Sequence, residues 1–251
     1  MNKKGVRMTL AIVVYVPEGI VMATDSRAMI SVEGRTSTGE SFRFDTPCSD
    51  SVMKTFLLET QGIGISVFGQ PILGGLPIGG HLKKFIEEEV TTADDIETIP
   101  RKLVNYFQRA FPNANVGFHV CGYKKEKRVS IPHVYYCHVG RNIIERRNVR
   151  PDGSIVYGAA WSGEIDVLTS IINPVVIREE SGVERIIRSP PPIIWDGMTL
   201  QDAIDFAVYA IRTTADTMRF QARLKTVGGP IDVLIIVPEG AKWIQRKELS
   251  S

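Results

Sequence analysis

The fold is decided by the stretch Met8-Thr9-Leu10-Ala11-Ile12-Val13-Val14-Tyr15-Val16-Pro17-Glu18-Gly19-Ile20-Val21-Met22-Ala23-Thr24-Asp25-Ser26-Arg27. Two apolar runs rich in β-branched residues flank Pro17-Glu18-Gly19, a pattern typical of two antiparallel strands joined by a short loop. If the loop has three residues and Gly19 takes its left-handed position, Val16 pairs with Ile20. The sequence therefore predicts a hairpin in the first thirty residues.

This register places polar side chains on one face of the hairpin. Ala11 then lies opposite Asp25 and Thr9 lies opposite Arg27, and alternation puts all four on the same face. Thr9 and Asp25 become diagonal neighbours, with their backbones roughly 7–8 Å apart. A hydroxyl beside a carboxylate and a guanidinium, close to the start of the chain, predicts the beginning of a site.

The composition excludes several classes of function. The chain has 251 residues, enough for one large or two small domains. A hydrophobic content of 43% and a net charge of +2 are typical of a globular protein without a nucleic-acid or membrane partner. Its apolar runs are shorter than the roughly 20 residues of a membrane span. Three cysteines, Cys48, Cys121 and Cys137, have neither metal-site nor disulfide spacing, and no signal peptide precedes them. We therefore expect reduced thiols and no metal site in a cytoplasmic protein. Since no Gly-x-Gly-x-x-Gly motif follows a predicted strand and no phosphate loop appears, we also expect no cofactor.

The rest of the chain alternates between groups of strands and groups of helices. Five glycines and two prolines in Gly69–Gly80 predict an irregular segment before a helix. The predicted strands are 52–58, 62–68, 116–123, 133–139, 142–149 and 231–237, and the predicted helices are 81–90, 99–111, 161–172 and a long one capped by Thr199. This order predicts an α+β fold in one domain.

Two blocks of sequence carry a family resemblance. Thr9, Gly19 and Asp25-Ser26-Arg27, with their apolar strands, resemble the opening of proteasome β-type subunits, which are N-terminal-nucleophile (Ntn) hydrolases. Asp216-Thr217-Met218-Arg219 and the later Val227-Gly228-Gly229-Pro230-Ile231-Asp232 resemble the bacterial proteasome-like branch called Anbu.

The resemblance implies an architecture and an assembly. The implied fold is a four-layer αββα sandwich formed by residues 9–251 as a single domain, with 1–8 as an extension that is removed or not translated. The implied assembly is a homo-oligomer, either a ring or a helical stack. The implied substrate is a peptide or an unfolded protein, and any unfoldase partner is left open.

The implied chemistry depends on a free amine at Thr9. A threonine hydroxyl needs a base to become a nucleophile, and an α-amino group with a pKa of about 7.7–8.0 can serve. That amine exists only if residues 1–8 are absent. Either processing removes them, or Met8 is the true start and a methionine aminopeptidase exposes Thr9, which is the hypothesis we favour.

The resemblance also assigns roles to four further residues. Asp25 orients the amine, Lys54 supplies a cation beside the hydroxyl, the Gly69 N–H binds the oxyanion and Ser162 lies near the amine. Each has an ordinary alternative: a strand-end carboxylate, a solvated strand lysine, a strand-ending turn and a helix cap. The chain also departs from the family pattern, because Met8 replaces the usual glycine before the nucleophile and Leu224-Lys225-Thr226-Val227 lacks the usual aspartate.

Three functions remain open at this stage. The first is a threonine-nucleophile peptidase that forms an acyl-enzyme on Thr9. The second is an inactive proteasome-fold scaffold or interaction subunit that retains residues 1–8. The third is an Ntn amidohydrolase that acts on a small amide.

Overall fold

The computed structural model describes residues 9–178, 182 and 184–248. They form two five-stranded antiparallel sheets, three two-stranded hairpins and four helices. The strands are β1 (Leu10–Val16), β2 (Gly19–Thr24), β3 (Ala28–Arg35), β4 (Ser41–Ser49), β5 (Thr55–Leu58), β6 (Ile63–Gly69), β7 (Ile72–Leu73), β8 (Leu76–Pro77), β9 (Val116–Glu126), β10 (Val129–His138), β11 (Ile143–Arg146), β12 (Gly158–Gly163), β13 (Val175–Arg178), β14 (Glu184–Arg188), β15 (Asp232–Val237) and β16 (Gly240–Gln245). The helices are α1 (Ile78–Glu89), α2 (Thr98–Ala110), α3 (Asp166–Ile172) and α4 (Leu200–Phe220), with a 3₁₀ turn at Trp195–Gly197.

Each five-stranded sheet is assembled from distant parts of the chain. The first sheet has the order β12-β1-β2-β15-β16, and the second has the order β11-β10-β9-β6-β5. The remaining strands pair as the hairpins β3–β4, β7–β8 and β13–β14. The α+β class predicted from the sequence is therefore confirmed, with antiparallel pairing throughout the described sheets.

The alternation of β1 explains how the core is divided. Leu10, Ile12 and Val14 pack with α4 and β15, whereas Val13 and Tyr15 pack with β9 and β10 of the second sheet. A further apolar cluster joins the second sheet to α1 and α2. Because successive side chains of a strand point to opposite faces, β1 is buried on both sides and holds the first sheet at the centre of the molecule.

The predicted hairpin is present, but its predicted register is wrong by one residue. Val16 pairs with Gly19 and Ala11 with Thr24, so the turn contains only Pro17 and Glu18. Gly19 does not adopt a positive φ. A Cβ at Gly19 would lie 3.0 Å from Leu200 and 3.1 Å from the Ile236 carbonyl oxygen, so glycine here permits the close approach of α4 and β15.

The N-terminus of α4 is tied to the same turn. Thr199 caps the helix as predicted, and it exchanges hydrogen bonds with Asp202 in a capping box. The Glu18 carboxylate accepts a hydrogen bond from the Leu200 N–H at 2.7 Å. This contact satisfies another N–H group of the first helical turn and connects the hairpin turn to the long helix.

Two other predicted elements require correction. The predicted helix 161–172 begins as strand β12, and α3 starts only at Asp166, because Trp161 and Ser162 pair with β1. The predicted irregular tract Gly69–Gly80 contains the short pair β7–β8 and the first turn of α1. The other predicted helices and strands are present with shifted ends. Within the described residues, no helix combines the length and the apolar character that a bilayer crossing requires.

Candidate functional site

The peptide group between Thr9 and Leu10 is held on both sides at the start of β1. On one side, the Leu10 N–H donates to Asp25 Oδ1 at 3.1 Å. On the other side, the Thr9 carbonyl accepts a hydrogen bond from the Glu164 N–H at 2.7 Å. Thr9 itself is buried, with 4% of its surface exposed. The predicted nucleophile therefore has its backbone fixed by the residues that directly follow the two neighbouring strands, β2 and β12.

Asp25 is the most heavily hydrogen-bonded side chain of the site. It is fully buried, and its Oδ1 accepts from Leu10 N–H and, at 2.8 Å, from Lys54 Nζ. Its Oδ2 accepts from the backbone N–H groups of Arg27 at 3.2 Å and Gly228 at 3.1 Å. The predicted pairing of Asp25 with Ala11 is wrong, because Ala11 pairs with Thr24. Asp25 instead lies beside Leu10 and binds the backbone N–H that follows Thr9.

Lys54, which immediately precedes β5 of the second sheet, contacts Asp25. Its side chain is 4% exposed, and its ammonium also donates to the Arg27 carbonyl oxygen. Burial lowers the pKa of Lys54, an effect that the Asp25 carboxylate opposes. Next to the pair along the chain, the hydroxyls of Thr24, which precedes Asp25, and Thr55, which follows Lys54, hydrogen-bond each other at 2.9 Å, which fixes β2 against β5. The structure thus brings Asp25 and Lys54 together, and their catalytic roles remain predictions.

Ser162 lies on β12 rather than at a helix cap. It pairs with Ala11, two residues from Thr9, and by alternation it faces the same side as both. The next residue, Gly163, has a φ of +100°, and a Cβ there would clash with the Thr9 carbonyl. Only glycine allows β12 to come this close to Thr9, so the Ser162-Gly163 pair is shaped by its position beside the candidate nucleophile.

Gly69 lies at the end of β6 in the second sheet. Its φ is +96°, and a Cβ there would clash with the Asn115 carbonyl. Two residues earlier, the Val67 N–H donates to the Lys54 carbonyl at 2.9 Å, so Gly69 is at the same end of the sheet as Lys54. The hydrogen bonds of the described residues do not join Gly69 to Thr9, and its role at the oxyanion remains a prediction.

Sequence reasoning missed a second carboxylate beside Thr9. Glu164 accepts from Arg223 Nη2 at 2.7 Å and from Thr226 Oγ1 at 3.0 Å, while its backbone N–H holds the Thr9 carbonyl. The available signal was the position of Glu164, two residues after Ser162. Its partners are about sixty residues further along the chain, so no local pattern connects them.

A second buried ion pair lies next to the first. Asp232 is directly opposite Thr24 on β15, and it accepts from the Lys247 N–H at 2.9 Å and from the Lys247 ammonium. Both side chains are at most 5% exposed. The Lys247 charge adds to the lowering of the Lys54 pKa. The segment after β16 therefore contributes to the electrostatics of the site.

A cavity lies behind the turn that holds Asp25. Its volume is about 310 Å³, and its lining includes Arg212 and Asp216 of α4 and the glycine turn 228–229. None of the five predicted site residues lines it. Among the described residues, no group of three or more His, Cys, Asp or Glu side chains is arranged to hold a metal ion.

Comparison with known proteins identifies the fold. No family model and no curated protein matches the chain. Among solved structures, 293 chains match this chain, and they include the Anbu (Gly-1) mutant from Hyphomicrobium sp. strain MC1. The alignment covers 95% of this chain and 86% of the Anbu chain, with a TM-score of 0.58 and 16% sequence identity.

The chain has the fold of Anbu. The resemblance that the Thr9–Arg27 and Asp216–Asp232 blocks predicted is thereby confirmed for the fold. At 16% identity the match concerns the fold alone. Any argument for the chemistry must come from the residues around Thr9.

Proposed function

We propose that the chain is a threonine-nucleophile peptidase of proteasome type. The Thr9 hydroxyl attacks the scissile carbonyl carbon, and its proton passes to the Thr9 α-amine. The peptide C–N bond then breaks, the departing amine takes that proton, and the acyl group remains as an ester on Thr9. Water hydrolyses the ester, and no cofactor takes part.

The observation that carries the proposal is the buried Lys54–Asp25 pair beside the Thr9–Leu10 peptide. Both side chains are at most 4% exposed, and removing two charges from water costs several kcal/mol per ion before their attraction is counted. Such a pair is a poor way to stabilise a fold. It is a good way to hold the Lys54 ammonium, whose pKa is lowered, next to a hydroxyl that must lose its proton.

The proposal includes a role for each remaining predicted residue. The Gly69 N–H stabilises the tetrahedral oxyanion, and Ser162, beside Ala11, contacts the amine. We further propose that the two sheets and the helices on their outer sides form the four-layer αββα sandwich. The packing of α4 on the first sheet and of α1 and α2 on the second supports this arrangement.

The assembly is proposed to be a homo-oligomer. Hairpin β13–β14 exposes Val175, Val176, Ile177, Ile186 and Ile187, each between 41% and 62% exposed. An isolated two-stranded hairpin is marginally stable in water, and a cluster of exposed β-branched residues marks an interaction surface. Covering this hairpin by other copies of the chain would account for both features.

The oligomer is tested by one substitution and a matched control. Ile186→Asp should lower the molar mass measured by light scattering, and the free energy of unfolding of the chain should change by no more than about 0.5 kcal/mol because the side chain is already exposed. Val129→Asp, at an equally exposed site on β10, should leave the mass unchanged. A monomeric wild-type protein would contradict the proposal.

The peptidase is tested on natively expressed protein. Mass spectrometry of the N-terminal peptide should show a chain that begins at Thr9, and the protein should cleave fluorogenic peptides. Thr9→Ala should abolish cleavage without changing the mass of the assembly. A retained Met1 would favour the inactive scaffold, and turnover of small amides without peptide cleavage would favour the amidohydrolase.

A further inference from the structure

The two residues that bind the Thr9–Leu10 peptide group, Glu164 and Asp25, are both hydrogen-bonded to one loop. The carbonyl of this peptide is bound by Glu164, and its N–H is bound by Asp25. Residues 221–228, which follow α4 and are called here the 221–228 loop, contact both carboxylates. They reach Asp25 through the Gly228 N–H at 3.1 Å and Glu164 through the Thr226 hydroxyl at 3.0 Å.

The Glu164 side of this arrangement is buried and built from side chains. The Glu164 side chain is 12% exposed, and each of its oxygens accepts one hydrogen bond, from Arg223 or from Thr226. Thr226 is 3% exposed. A buried carboxylate with two well-placed donors is costly to disturb, so its backbone N–H is held in a fixed position against the Thr9 carbonyl.

Arg223 provides an internal comparison. Its guanidinium contacts two acidic side chains, Glu164 and Asp166. Asp166 is the first residue of α3, and its side chain is 51% exposed. Glu164 is buried, and its backbone N–H binds the Thr9 carbonyl. The same cation therefore has one partner at the candidate site and one partner at the surface.

We infer that Glu164 is a positioning residue for Thr9 and that the 221–228 loop sets its position together with that of Asp25. The inference rests on the proposed function for its catalytic meaning. Glu164 fixes the carbonyl side of the peptide group while Asp25 fixes the N–H side, so that both the hydroxyl and the amine of Thr9 are carried on an immobilised backbone. Glu164 also carries a negative charge on the residue whose N–H binds the Thr9 carbonyl.

The first measurement is amide hydrogen exchange, which does not require activity. In Glu164→Gln, the amide at position 164 should exchange at least about tenfold faster, because the neutral side chain holds Arg223 and Thr226 less tightly. Asp166→Asn should leave that amide unchanged. If Glu164→Gln fails to fold, Thr226→Val removes one hydrogen bond and keeps the charge, and the same amide should respond.

The second measurement is the pH dependence of peptide cleavage. Glu164→Gln should lower kcat roughly tenfold with KM little changed, because the backbone of the nucleophile is less well positioned. Loss of the negative charge should move the acid limb of kcat/KM by roughly 0.5 pH unit to lower pH, a change that a purely structural role would not produce. Asp166→Asn should move neither quantity.

The outcomes separate the inference from the function on which it rests. Unchanged exchange and unchanged kinetics in both Glu164→Gln and Thr226→Val would overturn the inference and leave the peptidase intact. Faster exchange in a protein that never cleaves peptides would overturn the peptidase and retain the coupling of Glu164 to Thr9. A loss of activity equal in Glu164→Gln and Asp166→Asn would also overturn the inference.

Discussion

Two ion pairs are formed by the same two chain segments and have opposite character. Asp25 and Arg27 follow β2, Asp50 and Lys54 lie between β4 and β5, and each segment gives one acid and one base. The Lys54–Asp25 pair has side chains that are 4% and 0% exposed. The Arg27–Asp50 pair has side chains that are 21% and 49% exposed.

The surface pair has the geometry expected for stabilisation. Arg27 donates to Asp50 through Nε at 2.6 Å and Nη2 at 2.7 Å, a bidentate contact. The Arg27 guanidinium lowers the pKa of Asp50, and the Asp50 carboxylate raises the pKa of Arg27. At Lys54, by contrast, burial lowers the pKa. The comparison indicates that the surface pair favours both of its charges, whereas the surroundings of the inner pair disfavour the charge of Lys54.

The largest effect is expected from breaking the inner pair. Lys54→Met leaves the Asp25 carboxylate buried without its cation, and the free energy of unfolding should fall by about 3–5 kcal/mol in urea titrations. The double variant Asp25→Asn, Lys54→Met should recover most of that loss, since neither charge of this pair then remains, but it should stay inactive. Equal losses in the single and double variants would show that the pair does not act as a unit.

A buried histidine extends the comparison between buried and exposed charged groups. His119 is 1% exposed, neither ring nitrogen has a hydrogen-bond partner within the described part of the chain, and burial lowers its pKa to about 3. The unfolded chain, with a histidine pKa of about 6.5, takes up a proton first as the pH falls. His119 alone should therefore lower the free energy of unfolding below pH 6.5, by about 2 kcal/mol at pH 5.

The measurement is urea unfolding at pH 7 and pH 5. His119→Phe should reduce this loss by about 2 kcal/mol at pH 5, since Phe68 and Tyr136 already surround the ring with aromatic groups. His133, whose pKa burial lowers to about 4, should cause a further loss of similar size that persists in His119→Phe. His81→Gln is the control and should retain the full loss. An unchanged dependence in His119→Phe would contradict the assignment.

The smallest effect is expected at the surface pair. Asp50→Asn should change the free energy of unfolding by no more than about 1 kcal/mol, and the change should shrink in 0.5 M salt, because exposed pairs are screened. The lowered pKa of Asp50 means that this contribution is present above its ordinary value of 3.8 and is lost as the pH falls below it. If Asp50→Asn lowered the free energy of unfolding by several kcal/mol at every salt concentration, the surface pair would not differ from the buried Lys54–Asp25 pair.

The features that could be predicted from the sequence are those that depend on local pattern or on the family resemblance. The opening hairpin, the capping of α4 by Thr199 and the meeting of Asp25 with Lys54 follow from residue type, spacing and family resemblance. The hairpin register does not, since Pro17-Glu18-Gly19 is compatible with two loop lengths. The choice between them is made by the distant Leu200 and Ile236, which pack against Gly19.

The missed parts of the site have the same origin. Ser162 was assigned to a helix because its pairing with Ala11 is a contact between residues about 150 positions apart. Glu164 and Thr226 are joined across 62 positions, and neither has a local pattern that points to the other. The 221–228 loop therefore becomes visible as part of the site only when the sheets are assembled.

The central claim is that Thr9 carries both a reactive hydroxyl and a free amine. A peptide epoxyketone tests both at once, because a stable ring adduct requires attack by the hydroxyl and by the amine of the same residue. We predict a single adduct on an N-terminal peptide that begins at Thr9, and no adduct in Thr9→Ala. An adduct that persists in Thr9→Ala, or an unlabelled chain that still carries residues 1–8, would contradict the account.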